Sequence, residues 1–292
     1  MSLKGGMTVN MLKYDIAGIR IEVISDDNTY ILDRFQSFFS RCSEKADLKV
    51  RVNSCDKLME PKGKVLFHKS AKWLLKNTAD QRIAVCIYGE ESQELVAILE
   101  VDPGWQNVSI DYLKTAPNIR YAAERLGNIL MRNCILLRQG LVIHASAVEW
   151  QGKAVMFSAP SGTGKSTQAK LWQKHMGALI LNDDCPAVRV AGGQACVYGT
   201  PWSGSSNIFL NSHAPLSAVI MLEQAPENRI YRLTACEAVS RLMPRCYLPY
   251  YDRELMGRAI NQLEKIIAMT PVFLLRCRPD REAVELVYEC IK

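Results

Sequence analysis

The chain has 292 residues, 48% hydrophobic, 23% charged and 8% aromatic, a balance that excludes disordered, collagen-like and coiled-coil proteins and gives enough apolar residues for a sizeable core. Lysine and arginine number 36 against 30 acidic residues, and the net charge of +6 is spread without a basic stripe, which argues against nucleic acid and suits a smaller anion such as a nucleotide. No apolar run reaches the 18 or so residues that span a bilayer, no signal-like apolar core opens the chain, and the ten cysteines form no C-x-x-C pair, so a cytoplasmic protein without a membrane partner and with reduced thiols is expected.

Residues 1–115 read as a mostly antiparallel α+β unit. Ile19, Ile21 and Val23 alternate with Arg20 and Glu22, and Leu48, Val50 and Val52 repeat the pattern. Between them Ile31, Phe35, Phe38, Phe39 and Cys42 fall at helical spacing, and further strands are expected near 82–88, 95–101 and 108–113. No group of residues in this unit points to chemistry. Residues 116–140 read as a connecting helix, with Thr115 as N-cap, Pro117 in the first turn and Gly140 as its end.

From 141 to 292 the pattern becomes α/β. A strand over 141–148 is followed by a turn at Gln151-Gly152, a strand over 154–158, a Gly/Ser loop, a helix over 165–176 stopped by Gly177, and a strand over 178–181. Short strands at 187–190 and 195–198, a loop at 201–206 and a strand at 218–222 come next. Thr234 and Glu237 form a capping box, a second helix runs from Asp252 to Ile267, and a strand over 272–275 precedes the last helix.

The strongest motif is Ala159-Pro160-Ser161-Gly162-Thr163-Gly164-Lys165-Ser166. It matches the phosphate-binding (Walker A) loop G-x-x-x-x-G-K-[ST] except for alanine at the first glycine, and it lies between an expected strand and an expected helix. In that setting, successive backbone N–H groups of Ser161, Gly162, Thr163 and Gly164 and the first helical turn at Lys165, Ser166 and Thr167 point at the same phosphates. Lys165 is expected on the β- and γ-phosphates and the Ser166 hydroxyl on Mg²⁺.

Eighteen residues after Lys165, the pair Asp183-Asp184 follows the apolar run 178–181 and Asn182. Ligands of open α/β sheets sit at strand carboxyl ends, so one carboxylate is expected to hold Mg²⁺ and the other to take the proton of an attacking hydroxyl. Asp184 is the expected metal ligand beside Ser166, although adjacent carboxylates couple and either can face the cation. The plainer alternative is a turn before Pro186. His144 lies in the apolar run 141–148, where a histidine is ordinarily a satisfied core residue. Arg245 and Arg253 flank Pro249-Tyr250-Tyr251-Asp252, which reads first as a helix-joining turn and second as a place from which an arginine reaches a phosphate. His68, His175 and His213 have no expected role.

In order, His144, the loop Ser161 to Ser166 and Asp183-Asp184 resemble the catalytic domain of HPr kinase/phosphorylase, related in fold to ATP-dependent phosphoenolpyruvate carboxykinase, over about residues 141–290. The resemblance implies a P-loop kinase domain of that type. It further implies ATP or GTP and Mg²⁺ held by Lys165 and Ser166, an aspartate of the pair as base, His144 positioning the transferred phosphate, and a homo-oligomer. The acceptor so implied is a serine or threonine hydroxyl of a peptide or protein. The same fold also serves small-molecule kinases and NTPases, and a catalytically inactive nucleotide- or peptide-binding accessory protein is the third alternative. The chain departs from the family at Ala159, at Thr167 in place of a glutamate, and at 199–207, which lacks the family's glutamate and arginine.

Overall fold

Two sheets organise the chain, one in each of the units Met1–Cys134 and Ile135–Lys292. The computed structural model describes residues 10–25, 33–69, 73–78, 80–89, 93–116 and 119–292, so the expectations placed on Ile31 and Pro117 lie outside the described residues. The architecture is mixed α+β, with more strand than helix. Among the described residues no helix is long and apolar enough to cross a membrane.

The first unit is built on β1 (Asn10–Ile16), β2 (Ile19–Ser25), β3 (Leu48–Cys55), β4 (Gly63–Lys69), β5 (Trp73–Thr78), β6 (Ile83–Tyr88), β7 (Leu95–Val101) and β8 (Asn107–Leu113). They are ordered β1-β2-β3-β8-β7-β6-β5-β4. Pairs β2–β3 and β3–β8 are parallel and the others antiparallel. Alternation shows why β3 forms: Leu48, Val50 and Val52 are buried while Lys49 and Arg51 face solvent. The expected helix after β2 is a short 3-10 helix, Asp33–Phe38. The hairpin β4–β5 is not apparent from the sequence, because a register shift between Val65 and Phe67 interrupts the two-residue period that betrays a strand.

Helix α1 (Ile119–Cys134) buries Ala122, Leu126, Leu130 and Cys134 and packs on β7, so it belongs to the first unit. A 3-10 turn, Ile135–Arg138, follows, and Gln139 at φ 58° makes the reversal assigned by sequence to Gly140. Gly140 instead starts a strand, where a Cβ would come within 2.5 Å of Ile135 Cγ1.

The second unit contains β9 (Gly140–Val142), β10 (Ala145–Trp150), β11 (Lys153–Ser158), α2 (Lys165–Met176), β12 (Leu179–Asn182), β13 (Ala187–Ala191), β14 (Gln194–Tyr198), β15 (His213–Gln224) and β16 (Arg229–Arg232). Helices α3 (Ala235–Leu242) and α4 (Arg253–Met269), strand β17 (Val272–Cys277) and helix α5 (Arg281–Ile291) complete it. The order is β12-β10-β11-β15-β14-β13-β9, with β17 on β15 and β16 on β17. The single strand expected over 141–148 is broken at His144. Ile143 N donates to Pro186 O and His144 N to Arg245 O, so the backbone leaves its pairing with β13 before it joins β11.

Strand direction decides which strand ends meet. Strand β10 is antiparallel to both β11 and β12, while β15 is parallel to β11 and β17 to β15. The carboxyl ends of β11, β12, β15 and β17 and the start of β10 therefore lie together on one edge of the sheet. Helix α2 is held against the sheet by Trp172, fully buried among Phe157, Ile180, Ile220 and Val284. Trp150 meets Trp172 edge-on at 6.3 Å and donates from Nε1 to Met176 O at 3.0 Å, so the carboxyl half of α2 is anchored to the sheet.

Candidate functional site

Residues 159–164 leave β11 and enter α2 through two left-handed positions, Gly162 at φ 79° and Gly164 at φ 114°. Both suit glycine alone, since an L side chain at these angles meets its own backbone. Lys165 opens α2, is 7% exposed, and folds back to donate from Nζ to Ala159 O at 3.2 Å and Pro160 O at 3.3 Å. Burial pulls its pKa below the usual lysine range, repulsion from Arg245 adds to this, and Asp184 opposes it. Lys165 thus lies within the electrostatic reach of both Asp184 and Arg245.

The acidic pair follows β12 in a tightly bonded turn. Asn182, fully buried, accepts from Asp184 N and Cys185 N through Oδ1 and donates from Nδ2 to Thr200 O and Trp202 O, both at 2.9 Å. Thr200 Oγ1 donates to Cys185 O at 2.8 Å. This clasp brings the segment after β14 against the turn, where Gly204 N donates to Asp183 Oδ1 at 2.7 Å. Residues 199–204, part of the stretch where the chain departs from the family it resembles, are therefore tied to the first aspartate.

The two carboxylates sit in different surroundings. Asp183 is 4% exposed. Asp184 is more open, with His144 Nδ1 2.9 Å from Oδ1 and Cys185 Sγ donating to Oδ2 at 3.0 Å. The His144 contact is close but poorly aligned for a directed hydrogen bond. Burial raises the Asp184 pKa, but His144, Cys185 and Lys165 together outweigh it and hold the carboxyl below the ordinary aspartate range.

Of the residues singled out in sequence, His144, Lys165 and Asp184 are brought together, and Asp183, Ser166 and Thr167 lie on the same edge. Arg245 joins them: its carbonyl receives His144 N and its charge is felt by Lys165. Pro249 to Asp252 is the plain turn, closed by Asp252 N to Pro249 O, with Asp252 capping α4 through Leu255 N. His213 stacks on Tyr198 at 4.9 Å. Sequence reasoning missed Gly204, Cys185 and the Asn182 clasp, whose partners are distant in the chain. The one local signal was a polar Asn182 at the end of an apolar strand.

Beside the loop, on the side away from the acidic pair, a cleft of about 580 Å³ is lined by Gly162, Thr163, Thr167 and Gln168, by Cys277 at the end of β17 and by Pro279 after it. For a divalent cation, the Ser166 hydroxyl and two carboxylates are hard oxygen donors of the kind Mg²⁺ takes. Among the described residues no group of three or more His, Cys, Asp or Glu could enclose a metal, so these donors suit an ion completed by phosphate and water oxygens.

No curated protein matches the sequence. Among solved structures, the chain is similar to the Hpr(Ser) kinase/phosphatase from Coxiella burnetii at 12% identity, over 51% of this chain and 87% of that one, with a TM-score of 0.29. A likeness of that size carries no argument about function. The family model described as SynChlorMet cassette protein ScmC matches residues 126–277, from α1 to the end of β17. That span takes in His144, the loop, the acidic pair and Arg245 and covers just over half of the sequence, so the chain belongs to the ScmC family.

Proposed function

We propose that the protein is a nucleoside-triphosphate-dependent phosphotransferase of the HPr kinase-like type, with a P-loop at residues 159–166. The observation that carries the reading is the juxtaposition of the buried Lys165 under its glycine loop with Asp184, itself 2.9 Å from His144. Phosphoryl transfer asks mainly for positioning and charge neutralisation, and these groups supply both. Lys165 swings from the loop carbonyls to the β- and γ-phosphates, and Arg245 adds further positive charge near it.

The carboxylates divide the remaining tasks. Asp184 already faces His144 with one oxygen and Cys185 with the other, so it holds the Nδ1 side of the imidazole and leaves Nε2 as the ring nitrogen free to take a proton from the acceptor hydroxyl. Asp183 spends Oδ1 on Gly204 N and keeps Oδ2 for Mg²⁺ alongside Ser166. This moves the metal role from Asp184 to its neighbour, and the role of base from the aspartate pair to His144. When bound, the cation neutralises charge developing on the phosphate oxygens. The acceptor is a serine or threonine hydroxyl of a peptide or protein, and ATP is the donor.

Incubation with Mg²⁺ and γ-labelled ATP in a cell extract tests this, with Lys165→Ala as control. Label on protein or peptide that disappears in the variant supports the reading, and label on a metabolite or release of free phosphate moves it to a small-molecule kinase or NTPase. ATP binding without Lys165-dependent label in any fraction replaces it with a nucleotide-binding accessory role.

A further inference from the structure

Both oxygens of Asp184 meet side chains, and those side chains lead to a third part of the chain. Oδ1 lies 2.9 Å from His144 Nδ1, and Oδ2 accepts from Cys185 Sγ at 3.0 Å. The same sulfur lies 3.4 Å from the phenol oxygen of the partly buried Tyr247, 62 residues further on. A thiol has one hydrogen and Cys185 gives it to Oδ2, so the Tyr247 hydroxyl is the donor to the sulfur. Tyr247, Cys185, Asp184 and His144 thus form one run of side chains that ends on the imidazole.

Backbone bonds place both outer members. Cys185 N donates to Asn182 Oδ1 at 2.7 Å and its carbonyl accepts from Thr200 Oγ1 at 2.8 Å, so the residue carrying the thiol is held from both sides. Tyr247 N donates to Val142 O at 3.1 Å, next to the isolated pairing of Ile143 with Cys246, which lays the segment after Arg245 along the break before β10. The carboxylate needs this support. The terminal torsion of an aspartate is broad, and the misaligned contact with His144 does not fix it alone. With Oδ2 engaged by the thiol, Oδ1 stays beside Nδ1, and a ring nitrogen 2.9 Å from a carboxylate carries the proton because its lone pair would repel the oxygen.

Resting on the phosphotransferase reading above, we infer that Tyr247 and Cys185 are positioning residues for His144. The phenol holds the thiol, the thiol holds Asp184 Oδ2, and the carboxylate keeps the imidazole proton on Nδ1, which leaves the Nε2 lone pair for the acceptor hydroxyl. The segment 245–247 then serves the site twice, with the charge of Arg245 felt at Lys165 and the phenol of Tyr247 acting on Asp184 through the thiol.

The ring nitrogens of His144 test the inference without any ligand. In the full chain labelled with ¹⁵N-histidine, His144→Ala assigns its signals among the four histidines, and long-range ¹H–¹⁵N correlation of the neutral imidazole is expected to show Nδ1 protonated and Nε2 bare. Tyr247→Phe and Cys185→Ala are expected to admit the opposite tautomer, and Cys185→Ser, which restores a donor to Oδ2, to return the wild-type pattern. Transfer from γ-labelled ATP in cell extract is expected to fall about 10–100-fold in Tyr247→Phe and Cys185→Ala, with ATP affinity within about a factor of two, and to recover in Cys185→Ser. A wild-type tautomer and rate in Tyr247→Phe overturn the assignment even where Cys185→Ala does not fold, as does a Cys185→Ser variant as impaired as the alanine. A tautomer that shifts as expected in a chain without Lys165-dependent transfer removes the phosphotransferase reading and leaves the hold on His144 in place, an outcome distinct from failure of the inference itself.

Discussion

His144 Nδ1 and Asp184 Oδ1 stand 2.9 Å apart although their side chains come from different elements, one at the break before β10 and the other in the turn after β12. Two backbone bonds impose this meeting: Ala145 N donates to Asp184 O, and His144 N donates to Arg245 O. The pair is a consequence of sheet pairing, and its loss should be felt in turnover before it is felt in folding.

His144→Ala is expected to lower the labelled-phosphate transfer rate by about 10²–10⁴-fold, the usual worth of a positioned acid–base group, and to leave ATP affinity within about a factor of two. Rapid-quench measurement of transfer beside calorimetry of ATP binding separates the effects. An equal loss of affinity and rate assigns His144 to ground-state binding instead.

Lys165→Met is expected to raise the melting temperature of the ligand-free protein and abolish its ATP-dependent increase. Burial depresses the folded pKa of Lys165, so the cost of its charge is present below that folded value and is relieved as pH rises toward the ordinary 10.5. The gain should therefore be largest near neutral pH, about 2–4 °C per kcal/mol recovered in a chain of this class. Differential scanning calorimetry with and without Mg²⁺–ATP reads both effects.

Asp184 behaves with the opposite charge. Its folded pKa is held below the ordinary 3.8, so its stabilisation is complete above that value and is lost as pH falls through the lower folded value. In urea titrations the stability gap between wild type and Asp184→Asn should hold down to about pH 4 and close below it. A gap that widens on acidification contradicts the pairing with His144, Cys185 and Lys165.

Asn182→Ala removes both halves of the clasp, leaving Asp184 N, Cys185 N, Thr200 O and Trp202 O to find other partners in a buried turn. A loss of about 2–4 kcal/mol in chemical denaturation is expected. Because Gly204 reaches Asp183 through the same segment, Mg²⁺-dependent ATP binding should weaken as well. Asn182→Asp keeps the Oδ1 acceptor but sets a fully buried carboxylate against the carbonyls of Thr200 and Trp202 beside two further aspartates, and should cost more than alanine.

The features legible in the chain were those written locally. Gly162, Gly164, Lys165 and Ser166 between an apolar run and an amphipathic run specify a strand, a left-handed loop and a helix start, because each follows from backbone freedom and short-range periodicity. Thr234 with Glu237, Asp252 and Asp280 cap their helices for the same reason. Tertiary structure alone decided where β9 and β10 part, since the break at His144 follows from bonds to Pro186 and Arg245. It also decided that Gly204 serves Asp183, that Arg245 rather than Arg253 is felt by Lys165, and that Gln168 keeps an unpaired acceptor beside a cleft. These depend on which strands become neighbours and in which direction they run, a long-range outcome of burying the whole sheet that no window of the sequence contains.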